Sequence, residues 1–121
     1  MFFEDNVPFF HVWFTTKDDK PLLSGAAAAK ARGAMQQTAD SAKFEIHAAA
    51  VTAAHVHLVL HLSADQEVNA AVQTLQAEAA RSEGLAPVDL WAPTFRWQRV
   101  PLSDLARVVQ QVTNAASPEG R

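Results

Sequence analysis

"VTAAHVHLVLHLS", residues 51–63, decides how the chain is read. From His55 onward apolar and polar residues alternate: Val56, Leu58, Leu60 and Leu62 fall on one side, His55, His57, Val59 and His61 on the other. Period-two alternation marks a strand with one buried face, because successive Cβ atoms point to opposite sides. Directly upstream, "KFEIHAAAV", residues 43–51, alternates as well. It predicts Phe44, Ile46, Ala48 and Ala50 on one face and Glu45, His47, Ala49 and Val51 on the other. Only residues 52–54 separate the two strands, so they form an antiparallel hairpin.

Working outward, "VPFFHVWFTT", residues 7–16, is dense in β-branched and aromatic residues and stops at the polar turn "KDDK" before Pro21. It reads as a strand with Val12 and Phe14 opposite His11 and Trp13. Between this strand and the hairpin an Ala-rich helix is expected, from a Ser24 cap to about Thr38. After the hairpin, Val68, Ala71, Val72, Leu75 and Ala79 recur at helical spacing, with Ser63 or Asp65 as cap and Gly84 as the stop. "LAPVDLWAPTF", residues 85–95, reads as a Pro-punctuated loop. "FRWQRV", residues 95–100, reads as a short strand, with Phe95 and Trp97 opposite Arg96 and Gln98. "PLSDLARVVQQVTNA" follows as a final helix with an apolar stripe of Leu102, Leu105, Val108, Val109 and Val112 beside Arg107, Gln110 and Gln111. Residues 116–121 are expected to fray.

The order is βαββαβ plus one helix. The expected fold is therefore α+β: a single domain over residues 1–121 built as a ferredoxin-like sandwich, its antiparallel sheet carrying an additional C-terminal helix. Both main helices cover one face. The other, bearing the histidines, stays open to a site or a second subunit.

Composition narrows the function classes. The 121 residues suffice for one core, although Ala supplies much of the 49% hydrophobic content. With no Cys, disulfide frameworks, thiolate metal sites and cysteine nucleophiles are excluded. The absence of a signal-peptide pattern or a long apolar segment leads us to expect a cytoplasmic protein with no membrane role. A net charge of −3 counts against strong sequence-independent binding to nucleic acid. There is no Tyr.

His55 and His57 taken alone are most simply two imidazoles on a half-exposed sheet face, solvated or hydrogen-bonded to neighbours. Phe9, Phe10, Trp13 and Phe14 are either stacking surfaces for bases or simply core. Arg96, Trp97 and Arg99 form a short basic-aromatic mixture of the kind that contacts nucleic acid.

Taken in order, "HVWFTTKDDKPLL", "HVHLVL", "TLQAEAAR", the "LW…F" loop and the closing amphipathic helix resemble the single-tyrosine transposases of the HUH endonuclease superfamily, over about residues 11–114. His55-Val56-His57 matches the motif that names the superfamily. The resemblance implies that these two histidines and one further ligand hold Mg²⁺ or Mn²⁺ on a scissile phosphate of single-stranded DNA, and that a Tyr on the last helix attacks it to leave a 5′-phosphotyrosine. It also implies a homodimer that exchanges this helix, and single-stranded or hairpin DNA as partner. On that basis His11, Trp13, Lys17, Arg81, Arg96 and Arg99 are the candidate DNA contacts.

The chain departs from the pattern where the chemistry lies. Laying the family's Tyr-Ile-x-Asn-Gln on "QVTNA" puts Gln111 at the nucleophile and Ala115 at the third metal ligand; Asn114 matches. Ala53 and Ala54 stand where the family commonly has Pro-Asp, and Gln76 where its second helix often has Lys; Leu75 and Arg81 match. Thr113 and Ser117 offer hydroxyls, but an aliphatic alkoxide leaves poorly in the reversal step. The expectation is a transposase-like DNA-binding domain without an intact catalytic residue. The alternatives are a structural or regulatory dimer that binds no nucleic acid, or a hydrolase in which His11, His47 or His61 completes a Zn²⁺ or Ni²⁺ site with His55 and His57. A mixed dimer with a Tyr-bearing partner is a further possibility.

Overall fold

The computed structural model describes residues 8–63 and 66–115. The expected Asp65 cap, the first residue of the first strand and the tail at 116–121 lie outside them. The elements run β1 (Phe9–Thr16), a 3₁₀ turn (Lys17–Asp19), α1 (Ala26–Ala42), β2 (Glu45–Val51), β3 (His55–His61), α2 (Val68–Ser82), α3 (Pro87–Leu90), β4 (Trp91–Val100), a second 3₁₀ turn (Leu102–Asp104) and α4 (Leu105–Ala115).

The four strands form one sheet in the order β2-β3-β1-β4, with every neighbouring pair antiparallel. This is the ferredoxin-like α+β arrangement expected from the sequence. The apolar side of β3, with Val56, Leu58, Leu60 and Leu62, packs with Val12 and Phe14 against α1 and α2, which contribute Ala31, Met35, Ala39, Val68, Val72, Leu75 and Ala79. Small alanines on the helices let their backbones approach the sheet closely. Leu and Phe on the strands supply the volume that fills the layer.

Local chemistry explains where the helices stop. The α2 helix ends at Gly84, whose φ of +72° is open to glycine at little steric cost. The Gly84 and Leu85 amides donate back to the carbonyls of Arg81 and Ala80, each at 3.0 Å, closing the helix end. The α1 helix runs to Ala42, past the expected stop near Thr38, and ends with Lys43 left-handed at φ +67°. Its N-cap is Gly25, not Ser24; the Ser24 hydroxyl donates to the Pro21 carbonyl instead. The α2 N-cap is Glu67, without a side-chain cap bond, so Ser63 does not cap it.

Two further readings are corrected. The β4 strand starts at Trp91 rather than Phe95 and runs through Pro93. It is an edge strand, where a missing N–H can face outward without breaking a ladder. In β2 the simple alternation fails: Ile46 pairs with Leu60 but Ala48 pairs with Val59, so His47 is an extra residue in a β-bulge. Ile46, Ala49 and Val51 therefore face the main core, while Ala48 and Ala50 face the opposite layer.

That opposite layer is α4. Val108 and Val112, with Leu105 and Val109 partly buried, sit over Phe9, Ala50, Val59 and Val100. The helix covers the β2–β3 side of the face left free by α1 and α2. Leu102 is not part of its apolar stripe: it lies in the preceding 3₁₀ turn and is 53% exposed.

A histidine face as candidate nucleic-acid interface

All five histidines lie on the sheet face opposite α1 and α2. Across it, Ala50, His57, Trp13 and Arg96 form one cross-strand row, and Ala48, Val59, His11 and Gln98 the next. The bulge in β2 keeps Glu45 and His47 on this face near His61.

The imidazoles divide into two groups. His57 Nδ1 lies 3.5 Å from His11 Nε2, their rings stacked with centroids 5.7 Å apart, and Trp13 tilts against His11 at 4.7 Å. His55 is exposed at the strand's start, its Nε2 4.0 Å from Asp19 Oδ1 in the turn after β1. In the second group, Glu45 faces two rings, with Oε1 3.2 Å from His61 Nδ1 and Oε2 3.4 Å from His47 Nδ1. Phe9 stacks on His61 at 4.0 Å and meets His47 edge-on at 5.3 Å. Sequence reading missed Glu45 as a partner. Its two-residue spacing to His47, on a strand beside His61, was the available signal.

Protonation follows from these surroundings. Burial lowers the pKa of His11 and of His57, and a neighbouring imidazole lowers each further, His57 acting on His11 and His55 on His57. Both rings are therefore neutral near pH 7 and can accept as well as donate hydrogen bonds. Burial pushes Glu45 up, but the bonds from His61 and His47 and their charges outweigh it and hold the carboxyl below its ordinary range.

The turn beside this face is held by backbone bonds. The amides of Thr16 and Leu23 donate to the carbonyls of Ala54 and Ala53, each at 2.9 Å, and the Thr16 hydroxyl donates to the Lys20 carbonyl. The Ala53-Ala54 segment thus joins the end of β1 to the hairpin.

The other candidate contacts scatter. Arg96 shares the face with Trp13 and His11. Lys17 borders a separate cleft of about 430 Å³ with Gln76, Trp91 and Pro87. Arg81 sits in the helix layer, 3.8 Å from Glu78, away from the histidines. Arg99 has Phe10 as its strand partner, so parity places it on the helix side with Phe95 and Trp97. It nevertheless lines a cavity of about 90 Å³ between α4, β1 and β4, together with His11, Gln98, Asp104, Arg107 and Gln111. The α4 helix therefore brings Gln111 to a cavity whose wall includes the partner of His57. Among the described residues no group of three or more His, Cys, Asp or Glu is arranged to hold a metal ion. Two motif imidazoles without a third ligand do not fit a resident divalent cation. His47 and His61 are gathered by Glu45 and Phe9 rather than by His55 and His57.

A family profile described as "Transposase IS200 like" matches residues 8–99, from the start of β1 almost to the end of β4. The chain belongs to the IS200-like transposase family. Its α4 helix, with Gln111, lies beyond the matched segment of this IS200-like transposase. Two solved structures share its fold. One is a REP-associated tyrosine transposase bound to a REP hairpin, with TM-score 0.78, 18% identity, and coverage of 95% of this chain and 70% of that one. The other is a candidate transposase from Deinococcus radiodurans R1, with TM-score 0.70, 20% identity, and coverage of 89% and 90%. No curated protein matches the chain. Among the described residues, no helix of this IS200-like transposase is long and apolar enough to cross a membrane.

Proposed function

We propose that this IS200-like transposase domain binds single-stranded or hairpin DNA on its histidine face, as a cytoplasmic homodimer, and does not cut it. The observation that carries the reading is Gln111: the sequence contains no Tyr, and α4 brings an amide to the cavity beside His11 where the family resemblance expects a phenol. A carboxamide cannot form the phosphodiester-exchanging intermediate that a phenolate forms. The chain's two motif imidazoles do not make up the donor set of a resident cation.

Binding rests on the remaining surface. Trp13 lies between His57 and Arg96 in one cross-strand row. It offers a ring on which a base can stack, and Arg96 adds a charge for the backbone. The hairpin held by the REP-associated relative supports structured single strands as the substrate class.

The test is anisotropy with a fluorescent hairpin carrying a single-stranded flank, with Mn²⁺ or with chelator, followed by a denaturing gel. Expected are salt-dependent binding that is unchanged by chelation and weakened by Trp13→Ala, and DNA recovered intact. A nicked strand or a protein–DNA adduct overturns the inactivity. No binding at micromolar protein overturns the DNA role. Sedimentation of the free protein checks the dimer.

A further inference from the structure

The free edge of the sheet carries a ring that the histidine face does not use. On β4, Trp97 pairs with Val12 and Arg99 with Phe10, so both project on the side of α1 and α2, away from Trp13 and Arg96. Trp97 is 41% exposed, yet it is fixed at two points: its Nε1 donates to Asn69 Oδ1 at 2.9 Å, and the ring meets Phe10 edge-on with centroids 5.3 Å apart. Farther back along the strand the buried Trp91 donates from Nε1 to the Gln76 carbonyl at 2.8 Å. One side of α2 therefore faces β4, and Gln73, four residues on from Asn69, falls on it. We propose that Trp97 and Arg99 form a second binding surface for an unpaired strand of nucleic acid, on the opposite side of β4 from the histidine face. This rests on the DNA-binding reading above and adds a path to it: a strand leaving the Trp13–Arg96 row passes around the free edge of β4 and stacks a base on Trp97.

Charge and order both favour a nucleotide. In a chain of net charge −3, β4 has two arginines and no carboxylate, and the arginines sit on opposite sides of the strand, Arg96 level with Trp13 and Arg99 beyond Trp97. Arg99 lies two residues from Trp97, about 7 Å along the strand, within reach of the phosphate of a base stacked on the indole. The side chains that α2 turns toward the ring, Asn69 and Gln73, are amides and carry no charge to repel that phosphate. A base meeting a ring already held by Asn69 and Phe10 does not have to order it, and any base can stack because each has a π-face. A protein partner would need a broader apolar centre than this one indole: of its neighbours on the same side of β4, Phe95 is partly buried and Arg99 is charged.

The experiment compares, by anisotropy at fixed salt, a flank-free hairpin with hairpins carrying unpaired thymidine flanks of increasing length. Expected is a wild-type affinity that rises about tenfold with the flank and then levels off, the gain of one stacked base. Trp97→Ala should remove that gain and leave flank-free binding unchanged, while Trp97→Phe keeps most of it. Arg99→Gln should lower the salt slope of flank binding by about one. A second measurement does not depend on Trp97→Ala folding: in Trp13→Phe protein, where Trp91 is buried and Trp97 is the exposed indole, oligo-dT should quench the emission. An equal flank gain in Trp97→Ala, or emission that stays unquenched while the flanked hairpin binds, overturns the surface and leaves the ring to a protein partner. The DNA reading then stands on the flank-free hairpin alone. If no hairpin binds the wild type but oligo-dT still quenches Trp97, the reading of the histidine face fails and the Trp97 surface stands for unstructured strands.

Discussion

At the scale of single residues, the His11–His57 pair has a defined pH signature. Both folded pKa values lie below the ordinary value of 6.5, chiefly through burial. The unfolded chain therefore takes up protons first, and stability is complete above about pH 6.5 and declines as pH falls from there toward the folded values. His57→Gln should raise the titration midpoint of His11 only partway, because it removes the neighbouring imidazole but not the burial, and it should flatten the acid decline. NMR titration of the ring protons and denaturant melts between pH 7 and 5 measure the two effects. An unchanged His11 midpoint would show that the rings do not sense one another. That His11 and His57 share a face could be read from strand parity. Their contact could not, because the pairing register of β1 with β3 is set by tertiary packing.

At the scale of elements, β2 shows why part of the fold was hidden. In "HAAAV" the two faces carry nearly the same small side chain, so alternation has no contrast from which a bulge could be inferred. Strand β4 was cut short for a related reason: Pro93 reads as a breaker unless the strand is known to be an edge. The hairpin and α2, where side-chain size alternates sharply, were legible. Of the candidate site, the histidine parity was legible, whereas the Glu45 clamp and the cavity beside Gln111 depend on the bulge and on where α4 lands. The bulge predicts that β2 tolerates both a change of side chain at position 47 and the loss of that residue. His47→Ala should cost within about 1 kcal/mol, since it removes a solvent-accessible contact with Glu45 and a ring edge. Deleting His47 would remove the extra residue and leave Phe44, Ile46, Ala49 and Val51 in regular alternation on the core side, so cooperative thermal unfolding should be retained. For α4, Val112 is buried against the sheet. Val112→Ala removes two methyl-sized groups and should cost about 1.5 kcal/mol in a urea melt.

At the scale of the whole molecule, the sheet is dressed unequally. Two helices of 17 and 15 residues cover most of one side, leaving Trp97 at the β4 edge exposed, while on the other a single helix of 11 residues rests on a handful of valines and Phe9. Hydrogen exchange should register this as two regimes. Amides of α4 should exchange through a local opening that low denaturant hardly accelerates, and those of β3 only through global unfolding. Equal protection in both would show that the last helix and the sheet form one cooperative unit. Each such excursion would wet Phe9, Ala50 and Val59 together, an oily stripe next to polar rings. Turbidity on gentle warming would then begin from a species still largely native, with its cover lifted, well below the temperature at which the sheet itself comes apart.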